Sequence, residues 1–538
     1  MELNAEGLKD SQWWGEKRYR LPEFDRKKME QATKEKPYWI HFGAGNIFRA
    51  FQANVVQKLL NNGVLDRGLL VAEGFDYEIV ERMYWPHDNF SILATLKTDG
   101  TVEKTVIGSI AEALVLDSEN TAQFSRLEDI FRQDSLQMAS FTITEKGYSL
   151  VNGSGELLQE AVYDLDNGPG RPQSYMGKIT ALLYTRFLAG KKPIAMVSMD
   201  NCSKNGDRLL EAVRSFAEKW ADNGQVDKEF LSYVADGDRV TFPWTMIDKI
   251  TPRPDDSVGS MLVKDGIRGL EPVITSKNSY AAPFVNAEET EYLVIEDSFP
   301  NGRPALEEGG LIFTDRITVS KAEQMKVCSC LNPLHTALAI FGCLLGYSRL
   351  CEEMEDPELK KLVERIGYVE GLPAVTDPGI LAPKEFMDTV LNVRIANPFM
   401  PDTPQRIATD TSQKLGIRFG ETIKAYLSSE SLDINSLVGI PLVFAGWLRY
   451  LTGVDDNGAF IDLSPDPFAK EISSRLRAIN WKSGEKVEEG LLPIYRMSGV
   501  WGIDLAEAGL DEKVSMYMKE MSTGAGAVRR TLKKYLDN

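Results

Sequence analysis

Residues Ile40 to Gln52 read IHFGAGNIFRAFQ. The stretch begins as an apolar run, turns through Gly43-Ala44-Gly45 and continues with Phe48, Phe51, Val55, Leu59 and Leu60 at helical spacing. Asn61-Asn62-Gly63 then supplies a helix stop. This pattern predicts a strand, a glycine turn and a helix. Such a turn either cradles a dinucleotide or simply makes a tight strand-to-helix connection.

A second apolar run, Leu69 to Ala72, closes the unit with Glu73 at its end. In a dinucleotide-binding fold that position faces the adenosine ribose, where a carboxylate accepts from both hydroxyls and repels a 2'-phosphate, so NAD is expected over NADP. Phe48 occupies the third position of the G-x-G-x-x-G pattern, and its bulk is expected to hold helix and strand apart. Further on, Ser91 to Leu96 and Thr101 to Ile107 flank "KTDG" and predict an inserted hairpin. Met138 to Thr144 and Ile194 to Ser198 are the continuous apolar-rich runs of a buried parallel sheet. Each leads into polar residues, which puts Thr144, Glu145, Asp200 and Asn201 beyond strand carboxyl ends, where ligands of open α/β sheets bind. Loop polarity or helix capping would account for each of them singly.

The whole chain narrows the function classes. With 538 residues, it is too long for one hydrophobic core. A formal charge of -18 argues against a nucleic-acid partner, which needs a concentrated basic surface. No run of roughly 18 apolar residues suggests a membrane span, and the polar N-terminus lacks the apolar core of a secretory signal. A cytoplasmic protein is expected, as a monomer or small homo-oligomer, with no membrane or nucleic-acid partner. The five cysteines show no framework spacing, which suggests free thiols, and Cys328, Cys330 and His335 resemble a zinc site only weakly, so no metal is expected.

From about Lys321 the pattern changes to long apolar helical segments, such as "LHTALAIFGCLLGYSRLCEEM" and "SLVGIPLVFAGWLRYL". This predicts an α/β domain over 1–320, with an N-terminal extension and the inserted hairpin, and a mainly α-helical substrate and catalytic domain over 321–538. Within "AEQMKVCSCLNPLHTALAIFG", Asn332 and His335 share a helix face, with Asn332 expected as N-cap and Pro333 as the first helical residue. Lys326 lies just ahead. A lysine buried beside apolar walls has a lowered pKa and can exchange a proton with an alcohol near neutral pH. The same residues also read as a cap, a satisfied core histidine and a surface lysine. Downstream, Arg406, Asp410 and Lys414 are spaced four apart, as either a solvated ion-pair stripe or a cationic wall for substrate hydroxyls or a carboxylate.

The segments "GAGNIFRAFQ", "TITEKGY", "MDNCSKNGDRL", "FPWTMIDKITP", "VIEDSFPNGRPALEEGG", "EQMKVCSCLNPLHTALAIFG" and "NPFMPDTPQRIATDTSQK", in that order, resemble the mannitol dehydrogenase family of polyol-specific long-chain dehydrogenases. The resemblance runs from about residue 37 onward. It implies an N-terminal Rossmann-type domain, a helical C-terminal domain and metal-free, NAD-dependent chemistry on a sugar acid or polyol. By motif it makes Lys326 the general acid/base, Asn201 and Asn332 the carboxamides that hold the reacting oxygen, and His335 the residue that orients that oxygen. Glu323 becomes part of a proton path to solvent, and Asp248, Arg406 and Lys414 line the substrate pocket. Gly43, Gly45, Asn46 and Ile47 would then cradle the NAD pyrophosphate at a helix N-terminus, with Arg49 nearby.

The chain departs from the family pattern in several places. Five residues separate Lys326 from Asn332, one more than the pattern, so the chain must bulge or Pro333 must shift the helix. Asn-Gly-Ser-His becomes Asn332-Pro333-Leu334-His335, Val-Asp-Arg becomes Ile247-Asp248-Lys249, and the histidine after Asp-Asn is replaced around Ser203-Lys204. Local cations at Arg406, Lys414, Lys204 and Lys249 favour fructuronate/mannonate over mannitol/fructose or tagaturonate. An NAD-binding sensor without turnover is the reading from a different class.

Overall fold

The computed structural model describes residues 1–476, 483 and 487–537. Six strands form the central sheet of the first unit: β1 (Trp39–Phe42), β2 (Leu69–Glu73), β3 (Ile110–Val115), β4 (Met138–Phe141), β5 (Ile194–Ser198) and β6 (Val240–Thr241). They pair in the order β3-β2-β1-β4-β5-β6, all parallel. This is the Rossmann order, in which the reversal between β1 and β4 opens a crevice at the strand ends. Every residue of β1, β2, β4 and β5 is buried, as a sheet covered on both faces requires.

Register aligns the carboxyl ends. Phe42 stands opposite both Ala72 and Phe141, and Phe141 opposite Ser198. Gly43, Glu73, Thr142 and Met199 therefore follow one another along a single edge. The helix after the glycine turn includes a π-turn at Phe48–Gln52 and runs on as Ala53–Asn61. The bulk of Phe48 is accommodated there: its ring stacks on His41 of β1, centroids 4.5 Å apart. His41 itself hydrogen-bonds Ser140 and Thr142, and burial pushes its pKa down to about 3.

Ser91–Leu96 and Val102–Ile107 form the antiparallel hairpin, extended by Phe284–Glu288 on one side and by Tyr19–Arg20 of the N-terminal extension on the other. That extension packs through Leu3, Trp14 and Met29, all buried.

The chain divides into two compact units, the first made of Met1–Lys97 with Thr101–Ser320 and the second of Thr98–Gly100 with Lys321–Asn538. The second unit is helical. Its apolar run from Leu334 does not continue unbroken to Met354, because Gly346, at φ +81°, ends the helix Asn332–Leu345 in the left-handed conformation. Glu370 receives the first amides of helix Gly439–Tyr450, those of Val438, Gly439 and Ile440, at 2.7–2.9 Å. The helical run Arg316–Leu345 is long and apolar enough to cross a membrane by length and composition, yet 78% of its most apolar window is buried in protein, as in a core helix.

Candidate active site

A cleft of about 990 Å³ opens at the strand-end edge of the first unit, lined by Gly43, Gly45, Glu73, Asp76, Thr144 and Tyr175 among others. Gly43 takes φ +107°, a conformation side chains rarely adopt. Asn46 and Ile47 begin the helix. Glu73 is turned inward: its carboxylate accepts from Ala44 N and Phe75 N at 2.8 Å and from Asp76 N at 3.2 Å. It ties the glycine turn to the loop after β2. Burial pushes its pKa up, against the pull of those amides.

Arg49 departs from its expected place. Its guanidinium is buried, donating to Ala282 O at 2.7 Å and Asn46 Oδ1 at 2.9 Å, so both side chains brace the interior rather than the cleft. Ile47 is half-buried against the core of the sheet. Asp200 likewise works through the backbone, accepting from Ile143 N and Thr144 N at 2.9 Å and from Tyr148 Oη at 2.6 Å. Those bonds hold Thr144 at φ +63°, a strained conformation for a β-branched residue. Glu145 is exposed and pairs with Arg208 at 2.8 Å, while its neighbours Thr144 and Lys146 line the cleft. Asn201 is exposed just after Asp200, and the buried Asn205 anchors that turn by donating to Asp200 O and to Thr245 Oγ1. Asp248 is buried at the end of strand Thr245–Asp248, opposite Tyr292.

In the second unit, Lys326 is 3% exposed and opens a π-turn, Lys326–Cys330. The Leu331 amide donates to Lys326 O at 3.1 Å, a bond that closes one residue later than in an α-helix. The extra residue of "KVCSCLN" is thus absorbed as a bulge. The bulge runs into Leu331, which takes the cap position expected of Asn332; among the described residues no side chain caps helix Asn332–Leu345, and Pro333 sits in its first turn. Asn332 and His335 are half-buried on that turn, and Glu323 is half-buried near the end of helix Arg316–Met325. Burial pushes the thiols of Cys328 and Cys330 up to about 11 and about 12, so both stay protonated at neutral pH.

The expected single stripe through Arg406, Asp410 and Lys414 does not form. The helix bearing Arg406 is only Pro404–Ile407, and Asp410 turns the chain at φ +53°. Arg406 is exposed and pairs with Asp402, while Lys414 donates to the carbonyls of Ile407 and Thr409. Lys249 is also spoken for, by Glu291 at 3.1 Å and Glu288 O at 2.7 Å. Lys204 is exposed at φ +51°. A cation overlooked in the sequence, Arg418, reaches the turn that carries Asn332, donating to Thr336 Oγ1 and to Asn332 O. In the sequence it reads as one more charge at the end of a solvated stripe.

Residues 38–308 match the mannitol dehydrogenase Rossmann domain and residues 318–522 the mannitol dehydrogenase C-terminal domain. The chain belongs to the mannitol dehydrogenase family. Among members of the family, a Thermotoga maritima protein named D-mannonate oxidoreductase is 51% identical over 99% of both chains. A polyol:NADP oxidoreductase of Gluconobacter oxydans is 28% identical over 89% of this chain and 91% of its own. The solved mannitol 2-dehydrogenase of Pseudomonas fluorescens, a ternary complex with NAD and D-mannitol, is 26% identical, with a TM-score of 0.68 and full coverage of both chains. The mannitol dehydrogenase fold thus extends over the whole length of this chain.

Proposed function

We propose that this chain is an NAD-dependent oxidoreductase that interconverts a secondary alcohol and a ketone on an open-chain sugar acid, most directly mannonate and fructuronate. The observation that carries this reading is the 51% identity, over 99% of both chains, with the protein named D-mannonate oxidoreductase. The cleft fits a dinucleotide. Gly45 has open space where a side chain would stand, and Asp76 Oδ1 and Tyr175 Oη, both on cleft-lining residues, are buried without a hydrogen-bond partner among the described residues. A ribose or an adenine edge would supply partners for such groups.

NAD, when bound, accepts or supplies the hydride. The remaining work falls to the chain. By motif, Lys326 takes the hydroxyl proton during oxidation and returns one during reduction. Asn332 donates to the reacting oxygen, Asn201 has the same part by its motif, and His335 orients that oxygen. Glu323, one turn before Lys326 on the same helical run, passes the proton toward solvent. Asp248, Arg406 and Lys414 hold the remainder of the substrate.

The test is NADH oxidation, followed by absorbance, with fructuronate, tagaturonate and fructose side by side, the best substrate being repeated with NADPH. The expected result is fastest turnover of fructuronate with NADH. Preference for fructose would replace the sugar acid with a polyol, the chemistry named for the Pseudomonas fluorescens relative; no turnover despite tight NADH binding would favour the sensor.

A further inference from the structure

Arg418 stands in the π-turn Gly416–Gly420 and is half-buried. Its Nη1 makes both of its hydrogen bonds, one to the Thr336 hydroxyl and one, at 3.5 Å, to the carbonyl of Asn332. Both acceptors are neutral. Among the described residues no carboxylate pairs with this guanidinium, no acceptor meets Nε or Nη2, and neither nitrogen is sealed from solvent. Burial lowers its pKa to about 10, which leaves it charged at neutral pH.

Arg186, which also has no carboxylate partner among the described residues, donates instead to five backbone carbonyls; several other cations pair with acids. Arg406 has Asp402, Lys249 has Glu291, and Arg529 has Asp356 and Glu358. The neighbouring Lys414 adds a second positive charge, since Arg418 is among the causes that lower the Lys414 pKa. Two acids lie near Lys414: Asp410, which turns the chain at φ +53°, and Asp466, which is occupied by the backbone amides of Ser412 and Phe468. Two cations are thus held together in a protein of formal charge -18, beside the helix turn bearing Asn332 and His335. A guanidinium with adjacent free N–H groups binds a carboxylate through two parallel hydrogen bonds, which a neutral hydroxyl cannot match.

We propose that Arg418 binds the carboxylate of the sugar acid and so sets the preference for that substrate over a neutral polyol. The inference rests on the sugar-acid reading above. It makes Arg418 a binding residue in addition to Arg406 and Lys414, and it explains why a half-buried cation has no anion among the described residues.

The experiment compares wild type with Arg418→Met and Arg418→Lys on fructuronate and fructose, using mannonate and mannitol as competitive inhibitors where fructose turns over too slowly to time. In Arg418→Met the ratio of kcat/KM for fructuronate to that for fructose should fall at least about thirtyfold, chiefly through KM, as expected for loss of charged hydrogen bonds. Arg418→Lys, which keeps the charge and loses the fork, should fall between. Thr336→Val removes the protein-side acceptor and should leave that ratio within about threefold of wild type. NADH titration and thermal melting establish that each variant is folded. Equal losses on both substrates, or an unchanged ratio, would overturn the role of Arg418. A wild-type enzyme inert toward every uronate would overturn the sugar-acid reading and this inference with it, and the wild type alone reveals that case.

Discussion

Gly43 and Thr142 approach so closely that a Cβ on Gly43 would stand 2.2 Å from the Thr142 carbonyl oxygen. That contact joins the end of β1 to the end of β4, and at φ +107° a side chain would be strained even without it. Two residues on, Gly45 has nothing within 4 Å of the same position. Gly43→Ala should therefore lower the melting temperature by several degrees, a loss of about 2 kcal/mol or more. Gly45→Ala should melt close to wild type yet weaken NADH binding, read by fluorescence titration, because its methyl group projects into the cleft. Equal stability of the two variants would contradict this assignment.

The π-turn at Lys326–Cys330 leads to a second prediction. A one-residue bulge can be removed without rotating the helix beyond it, since the closing hydrogen bond moves back from five residues to four. Deletion of Cys328 should leave a folded protein with a melting temperature within a few degrees of wild type. Deletion of Ala339, inside the regular helix Asn332–Leu345, should be much more damaging, because it turns buried residues out of the core.

Lys326→Met keeps the length and removes the exchangeable proton. Turnover should fall by about 10²–10⁴, with NADH affinity within about twofold of wild type by titration. An unchanged kcat would remove Lys326 from the chemistry.

Glu353 offers a test by pH. It is fully buried, neither carboxyl oxygen has a partner among the described residues, and desolvation raises its pKa from 4.5 to about 9. Native protein therefore holds this proton across a range in which the unfolded chain has lost it. The stabilisation is complete below pH 4.5 and declines as pH rises toward 9, by about 1.4 kcal/mol per unit at most. Denaturant unfolding of wild type against Glu353→Gln across pH 5–9 should show the variant gaining relative stability steadily with pH. A constant difference would mean that Glu353 is not protonated in the native state.

Much of the frame is legible in residue order. The strand at Trp39–Phe42, the glycine turn and the helix after it follow from short-range rules: apolar runs, positive φ and helical spacing. Lys326, Asn332 and His335 stand out because polar chemistry is sparse in an otherwise apolar segment. The surplus residue between Lys326 and Asn332 is visible as well, though its resolution as a π-turn rather than a shifted helix is not.

Partnership is where residue order falls short. Arg49 looks available to a phosphate until Ala282, more than two hundred positions away, takes its guanidinium. Glu73 reads as a ribose ligand and lines the cleft, and only the fold adds that its carboxylate also accepts the amides of Ala44 and Phe75. Arg406, Asp410 and Lys414 share a spacing without sharing a helix, because Asp410 adopts a left-handed conformation that the spacing does not encode. By itself, then, the sequence determined the order of elements, the glycine turn and the family, all of which depend on neighbours along the chain or on motifs in series. Folding alone settled which charges are satisfied and that Arg418 has no anion among the described residues, because the energy of a charge taken out of water depends on the groups brought around it.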